Sequence, residues 1–185
     1  MQVRGSVPLF WEQTGITASV HLIRSIELTT MAFKKHFEDL KRDYKRILCV
    51  NLMSAKKKSE HCLTENFELL ITDSKLEFVK YEFFDFHFAC KGQKYENVDF
   101  LIEKMSAVVE NLGFFTAKIK QDPRLLLLQQ GVLRVNCLDC LDRTNLVMTK
   151  FAALMLQNIM KHMNTDLNIA LGSFKLSYII NLLIL

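Results

Sequence analysis

Twelve residues constrain this chain more than any others: Arg134-Val-Asn-Cys-Leu-Asp-Cys-Leu-Asp-Arg-Thr-Asn145. Cys137 and Arg143 stand with five residues between them, and Thr144 follows directly. Five residues at that spacing curl into a loop whose backbone N–H groups turn inward and form an anion-binding nest. The six residues before Cys137, Gly-Val-Leu-Arg-Val-Asn, read as a short strand, and those from Thr144 onward read as a helix. A strand–loop–helix unit of this kind aims a helix N-terminus and its partial positive charge at whatever the loop holds. It therefore calls for an α/β fold with a mostly parallel central sheet, helices on both sides, and this loop between a strand and a helix at the sheet's carboxyl edge.

The residue types match phosphoryl transfer, in which charge on three equatorial oxygens must be positioned and stabilised. The field of the loop is expected to ionise the Cys137 thiol and make it the nucleophile. Arg143 presents a planar fork for two phosphate oxygens. Thr144 is placed to hydrogen-bond the sulfur as it leaves. Asp139 and Asp142 are the acids of the loop. Asp139 is taken as the general acid and base, and Asp142 as a cap on backbone N–H groups. Asn136, Leu138, Cys140, Leu141 and Asn145 complete the expected phosphate-binding shell.

Two other chemistries share the spacing. Cys137 and Cys140 form a Cys-x-x-Cys pair, which suits half a zinc site or a redox motif. Zinc would need a second cluster, and Cys49, Cys62, Cys90 and the five histidines supply none in sequence. A thioredoxin-like motif has no use for the Asp-Arg-Thr-Asn that follows. No metal and no cofactor is expected.

The loop with its flanks resembles the signature of the Sac family of phosphoinositide phosphatases. By that resemblance Cys137 is the nucleophile, Arg143 the phosphate clamp and Asp139 the acid, with Cys140 a routine member of the motif. Two further stretches are similar to family segments. One begins at Arg4 and includes Trp11, and it is similar to synaptojanin-like members in particular. The other, Phe84-Asp-Phe-His-Phe-Ala-Cys-Lys-Gly92, offers Asp85, His87 and Lys91 as candidates to line the mouth of the site. The resemblance implies hydrolysis of inositol-ring monophosphates on membrane phosphatidylinositol phosphates, through a phosphocysteine. Two rival readings stay open. One is a truncated, inactive domain that binds a lipid or a partner. The other is a protein tyrosine or dual-specificity phosphatase, although such enzymes carry His where this chain has Asn136.

The family pattern also gives an expectation about extent. Residues 1–185 read as a single, partial Sac catalytic domain, without the subdomain that usually precedes the first motif and without the end that usually follows the catalytic helix. A Tyr-Gly pair common in the family is Tyr44-Lys45 here, and no inositol 5-phosphatase domain follows.

Half of the 185 residues are apolar, enough for one sizeable core. An odd number of cysteines, five, with no secretory signal, suggests a reducing compartment. The net charge of +4 is mild, and no apolar run approaches the ~20 residues that span a bilayer. The expectation is a cytoplasmic protein, peripheral on anionic membranes, with phosphatidylinositol phosphates as partners and no nucleic acid. Basic residues crowd one face of an expected helix at 32–46 and recur at Lys56-Lys-Lys58; either a lipid surface or plain solvation accounts for them.

Other expected elements are a buried strand at 47–53, helices at 60–72, 95–112 and 144–162, and a strand at 76–88. Gly113 marks a helix stop. Residues 113–117 resemble the Sac family's next short strand, a turn is expected at Asp122-Pro123, and residues 176–185 read as a terminal apolar element.

Overall fold

The computed structural model describes residues 1–15, 20–118 and 124–162. Its elements in chain order are β1 (Gln2–Arg4), β2 (Trp11–Gln13), β3 (Val20–Leu22), α1 (Ile26–Asp43), β4 (Arg46–Asn51), α2 (Lys58–Ser74) and β5 (Val79–Phe83). Then come α3 (Phe86–Ala89), a 3-10 turn (Tyr95–Asn97), α4 (Val98–Leu112), β6 (Thr116–Lys118), β7 (Arg124–Leu127), β8 (Gly131–Asn136) and α5 (Asp142–His162).

Four strands form the central sheet in the order β1-β8-β4-β5, and every neighbouring pair is parallel. The two inner strands explain why. Arg-Ile-Leu-Cys-Val-Asn and Gly-Val-Leu-Arg-Val-Asn are almost wholly buried, and strands covered on both faces belong to parallel sheets sheathed by helices. Alternation along them builds two separate cores. Leu48, Val50, Leu133 and Val135 face α4 and α5 through Leu101, Met105, Val109, Val147 and Phe151. Ile47, Cys49 and Val132 face α1 and α2 through Phe33, Phe37, Leu63 and Phe67. The antiparallel pairs β2–β3 and β6–β7 lie outside the central sheet.

Several expected boundaries move. The first long helix begins at Ile26 rather than residue 32, because Ser25 caps it and accepts from the Leu28 N–H. Its exposed Leu28 and Met31 blur the apolar stripe that periodicity follows. The strand expected at 76–88 is a correction: only Val79–Phe83 is strand. Asp85 ends it by accepting the Phe88 N–H at 3.0 Å, which turns 86–89 into a short helix. The helix expected from residue 95 starts with the 3-10 turn. Gly113 closes α4 at φ 68. The strand expected at 113–117 is Thr116–Lys118, paired with β7. The turn at Asp122-Pro123 and the element at 176–185 lie outside the described residues.

Register brings Asn51 opposite Asn136 and Arg4 opposite Val135. The carboxyl ends of β1, β8 and β4 therefore meet at one edge, and the loop 137–141 leaves β8 there, where open α/β sheets place their ligands.

Candidate functional site

The loop stands on a buried polar base. Asn136 is fully buried and donates to Asn51 Oδ1 at 2.7 Å. Its side-chain Oδ1 accepts from Arg134 Nη1 at 3.1 Å. Arg134, also buried, donates from Nη2 to the Ser6 carbonyl at 2.7 Å and from Nε to His36 Nε2 at 2.9 Å. Asn51 returns the favour to the backbone by accepting the Met53 N–H at 3.1 Å. The last turn of three strands is thus pinned by side chains, because an orphaned polar group at this depth costs more than a satisfied one contributes. His36, accepting from a cation and partly buried, is pushed down to about 4, first by burial and then by the charge of Arg134.

Above this base, Cys137 is buried and its thiol donates to Asp139 Oδ1 at 3.2 Å. The Cys140 N–H points at the sulfur from 2.8 Å, which requires Cys140 at φ 56. The Leu141 N–H donates to the same Asp139 oxygen at 3.3 Å. The Thr144 hydroxyl is buried and donates to the Leu141 carbonyl at 2.9 Å, so it closes the first turn of α5 and does not meet the sulfur. Leu138 packs toward the α1–α2 core, whereas Leu141 is exposed. Asp142 is the first residue of α5, where its charge suits the helix N-terminus.

The expectation of a readily ionised Cys137 needs correction. Its thiol is pushed up, first by the neighbouring Cys140 side chain, then by burial and by Asp139; the charge of Arg143 pulls the other way and is outweighed. The Cys140 thiol donates to the Cys137 carbonyl at 3.3 Å, and Cys140 is drawn down to about 6, first by the Cys137 side chain. Asp139 itself is held below the usual carboxylate value. Burial works against that, but the Cys137 thiol, the Leu141 N–H and the Arg143 charge prevail.

Arg143 is placed by a residue the sequence does not single out. Glu60, on the first turn of α2 and fully buried, accepts from Arg143 Nη1 at 3.1 Å through Oε1 and at 3.0 Å through Oε2. Glu60 Oε2 also takes the Ser54 N–H at 2.8 Å. Lys57 Nζ and His87 Nε2 each lie 3.5 Å from Glu60 Oε1. Burial alone would raise this carboxyl, but the Arg143 hydrogen bonds, the Ser54 N–H and the charges of Arg143 and His87 hold it below its ordinary value. With Nη1 engaged, Arg143 Nη2 lies 3.9 Å from Asp139 Oδ1. The sulfur and the guanidinium therefore converge on one oxygen. A Glu three residues into a helix after a basic run looks like a solvated face; only the burial of that turn distinguishes it.

A cavity of about 690 Å³ opens beside Arg143, lined by His87, Lys91, Tyr95, Asp142 and Asn145 among others. Its size suits a small molecule. Arg4 reaches the same corner and donates to Asn145 Oδ1. Asp85 does not face the cavity. It caps α3 and holds Ser54 Oγ at 2.9 Å and the Ala55 N–H at 3.1 Å, which is a structural job. Trp11 lies on the α1–α2 side, donating to Ser6 Oγ at 3.0 Å, and is not among the cavity's lining residues. Among the described residues, no three His, Cys, Asp or Glu side chains converge as a metal site, and no helix is long and apolar enough to cross a membrane.

Comparison with known proteins bears on the family of the chain. Residues 1–91 match the model of the SacI homology domain. Synaptojanin-1 of Homo sapiens is 37% identical over 154 residues, covering 80% of this chain and 9% of its own length. Synaptojanin of Caenorhabditis elegans is 38% identical over 152 residues, with 80% and 13% covered. Phosphatidylinositide phosphatase SAC2 of Mus musculus is 33% identical over 166 residues, with 87% and 14% covered. The chain spans about a tenth of the length of these relatives.

Proposed function

The chain belongs to the SacI homology domain family, and from that premise we propose that it is a phosphoinositide phosphatase. It removes a monophosphate from the inositol ring of a membrane phosphatidylinositol phosphate, and it works as a cytoplasmic protein peripheral on anionic membranes. The residues of the loop form its phosphate-binding site. The observation that carries this reading is the meeting of Cys137 Sγ and Arg143 Nη2 on Asp139 Oδ1, at 3.2 and 3.9 Å.

That meeting also suggests how the proton moves. Cys137 keeps its proton until attack, and the carboxylate beside it is ionised. As the sulfur bonds to phosphorus, its proton passes to Asp139. Asp139 then gives that proton to the inositol oxygen as the P–O bond breaks. Arg143 and the loop N–H groups hold the equatorial oxygens of the group in flight. In the second step Asp139 takes a proton from water, the hydroxide attacks phosphorus, and the P–S bond breaks. The sulfur leaves as thiolate and recovers the proton from Asp139. Each cycle consumes one water, and no metal or cofactor enters the scheme.

Phosphate release from a panel of phosphoinositides, measured for the chain and for Cys137→Ser, tests the proposal. Release by the parent chain that Cys137→Ser abolishes is expected. Equal release by both would remove Cys137 from the chemistry. A second reading, a lipid-binding domain without turnover, is favoured by the raised Cys137 thiol and by the hold of Glu60 on Arg143. Vesicle binding with no phosphate released from any phosphoinositide would establish it.

A further inference from the structure

We propose that Phe88 and Lys56 form a tip that docks the mouth of the site onto an anionic lipid bilayer, with the Phe88 ring entering the interface. The proposal builds on the reading of the chain as a lipid phosphatase, but its test does not depend on turnover.

The backbone around Phe88 is tightly held. Its N–H is capped by Asp85 Oδ1 at 3.0 Å, and the next residue's carbonyl accepts Asn97 Nδ2 at 2.6 Å. The other oxygen of Asp85 binds Ser54 Oγ and the Ala55 N–H, and Ser54 Oγ accepts the N–H groups of Lys56 and Lys57 at 3.2 Å each. The loop before α2 and the turn of α3 are therefore one rigid piece. The Phe88 side chain takes no part in that bonding: its residue is 69% exposed. A costly aromatic surface on a well-ordered turn marks an interaction site more than a packing site.

Its neighbours define the partner. Lys56 Nζ stands 5.1 Å from the Phe88 ring centroid, so the charge and the ring share one surface. Lys57 and Lys58 follow, both exposed, and Lys91 lies on the rim of the cavity. Of the nearby carboxylates, Glu60 is engaged by Arg143, Asp85 by Ser54 and Asp139 by Cys137, while Glu96 is exposed near Cys90. Asp142 alone sets a cavity-lining negative charge against the lysines. An exposed aromatic ring with a lysine over it, on a loop carrying two more lysines, matches the boundary between acyl chains and anionic headgroups. His87 links the tip to the site, since it sits between Phe86 and Phe88 in sequence and 3.5 Å from Glu60, the carboxylate that holds Arg143. Docking the tip would thus bring headgroups to the cavity without further rearrangement.

The test is cosedimentation of the whole chain with phosphatidylcholine vesicles, with and without phosphatidylserine, alongside turnover of a soluble short-chain phosphoinositide. Phe88→Ser is expected to weaken binding to the anionic vesicles about tenfold, and Lys56→Gln about fivefold, an effect that salt removes. Both should leave turnover of the soluble lipid unchanged. In Phe88→Trp, emission should shift to the blue on anionic vesicles and be quenched by brominated acyl chains, with the parent chain and its single tryptophan as control. Unchanged vesicle binding in Phe88→Ser overturns the proposal. So does self-association without vesicles that Phe88→Ser abolishes, which would assign the patch to a second copy of the chain. If Cys137→Ser and the parent bind vesicles alike but neither releases phosphate, the phosphatase reading fails while the tip stands.

Discussion

Glu60 carries the sharpest prediction about this site. Its carboxylate is fully buried, and it receives two contacts from Arg143 Nη1 and one from the Ser54 N–H. Glu60→Ala leaves a mostly buried guanidinium without its counter-charge, which costs about 3 kcal/mol. Glu60→Gln keeps the shape and one acceptor but sets an amide N–H against a donor, at about 1–2 kcal/mol. For a chain of this size, that corresponds to a fall of roughly 2–8 °C in Tm. The larger effect is on rate. Arg143 loses the partner that directs Nη2 toward Asp139, and a shift of about 1 Å in such a group lowers the rate about a hundredfold. Thermal unfolding and kcat/KM on a soluble phosphoinositide read the two effects separately. The double variant Glu60→Met with Arg143→Met is expected to recover stability, because two apolar side chains of similar volume replace a buried pair, and to recover no activity. The sign of the pH dependence follows from the depressed carboxyl. The pair's contribution is fully present above the ordinary value of 4.5 and is lost as pH falls through the lower folded value. Glu60→Gln with unchanged Tm and unchanged kcat/KM would refute the whole account.

Three further outcomes are expected. His36 has its folded value near 4 against an ordinary 6.5, so the unfolded chain binds the extra proton between them. Stability should be level above pH 6.5 and fall progressively toward pH 4, and His36→Gln should flatten that window in urea titrations followed against pH. Cys140, held near 6 chiefly by the Cys137 thiol, should be alkylated by iodoacetamide before buried Cys137, with a half-maximal rate near pH 6 that rises toward the ordinary thiol value in Cys137→Ala; peptide mapping that finds Cys137 modified first would contradict the geometry. In Gly131→Ala the new Cβ would stand 2.9 Å from the Arg46 carbonyl and 2.4 Å from Leu112 Cδ2. Leu112 can turn but the β4 backbone cannot, so a loss of about 1–3 kcal/mol is expected in denaturant titrations. The loop leaves the opposite end of β8, and kcat/KM should hardly change.

Local pattern made much of the scaffold legible. The runs at 46–51 and 131–136 hold consecutive apolar residues without the alternation of a half-exposed strand, and both are buried at nearly every position. The strand–loop–helix unit holding Cys137, Asp139 and Arg143 is contiguous, so spacing alone set its order. Where polar atoms override apolar pattern, reading failed. Phe84, Phe86 and Phe88 alternate like strand residues, yet the Asp85 carboxylate turns the chain after Phe83. Asp85, a candidate to line the mouth of the site, is a brace, and Glu60, which the sequence does not single out, holds the arginine.

By itself the sequence determined the layers of the fold and the order of Cys137, Asp139 and Arg143 along the loop, because apolar period and loop spacing act over a few residues. The tertiary structure decided the surroundings of the Cys137 thiol, the aim of Arg143 and the exposure of Phe88. Glu60 lies 83 residues from Arg143, and Ser54 lies 31 from Asp85. Contacts across such separations set burial and charge, and no local period encodes them.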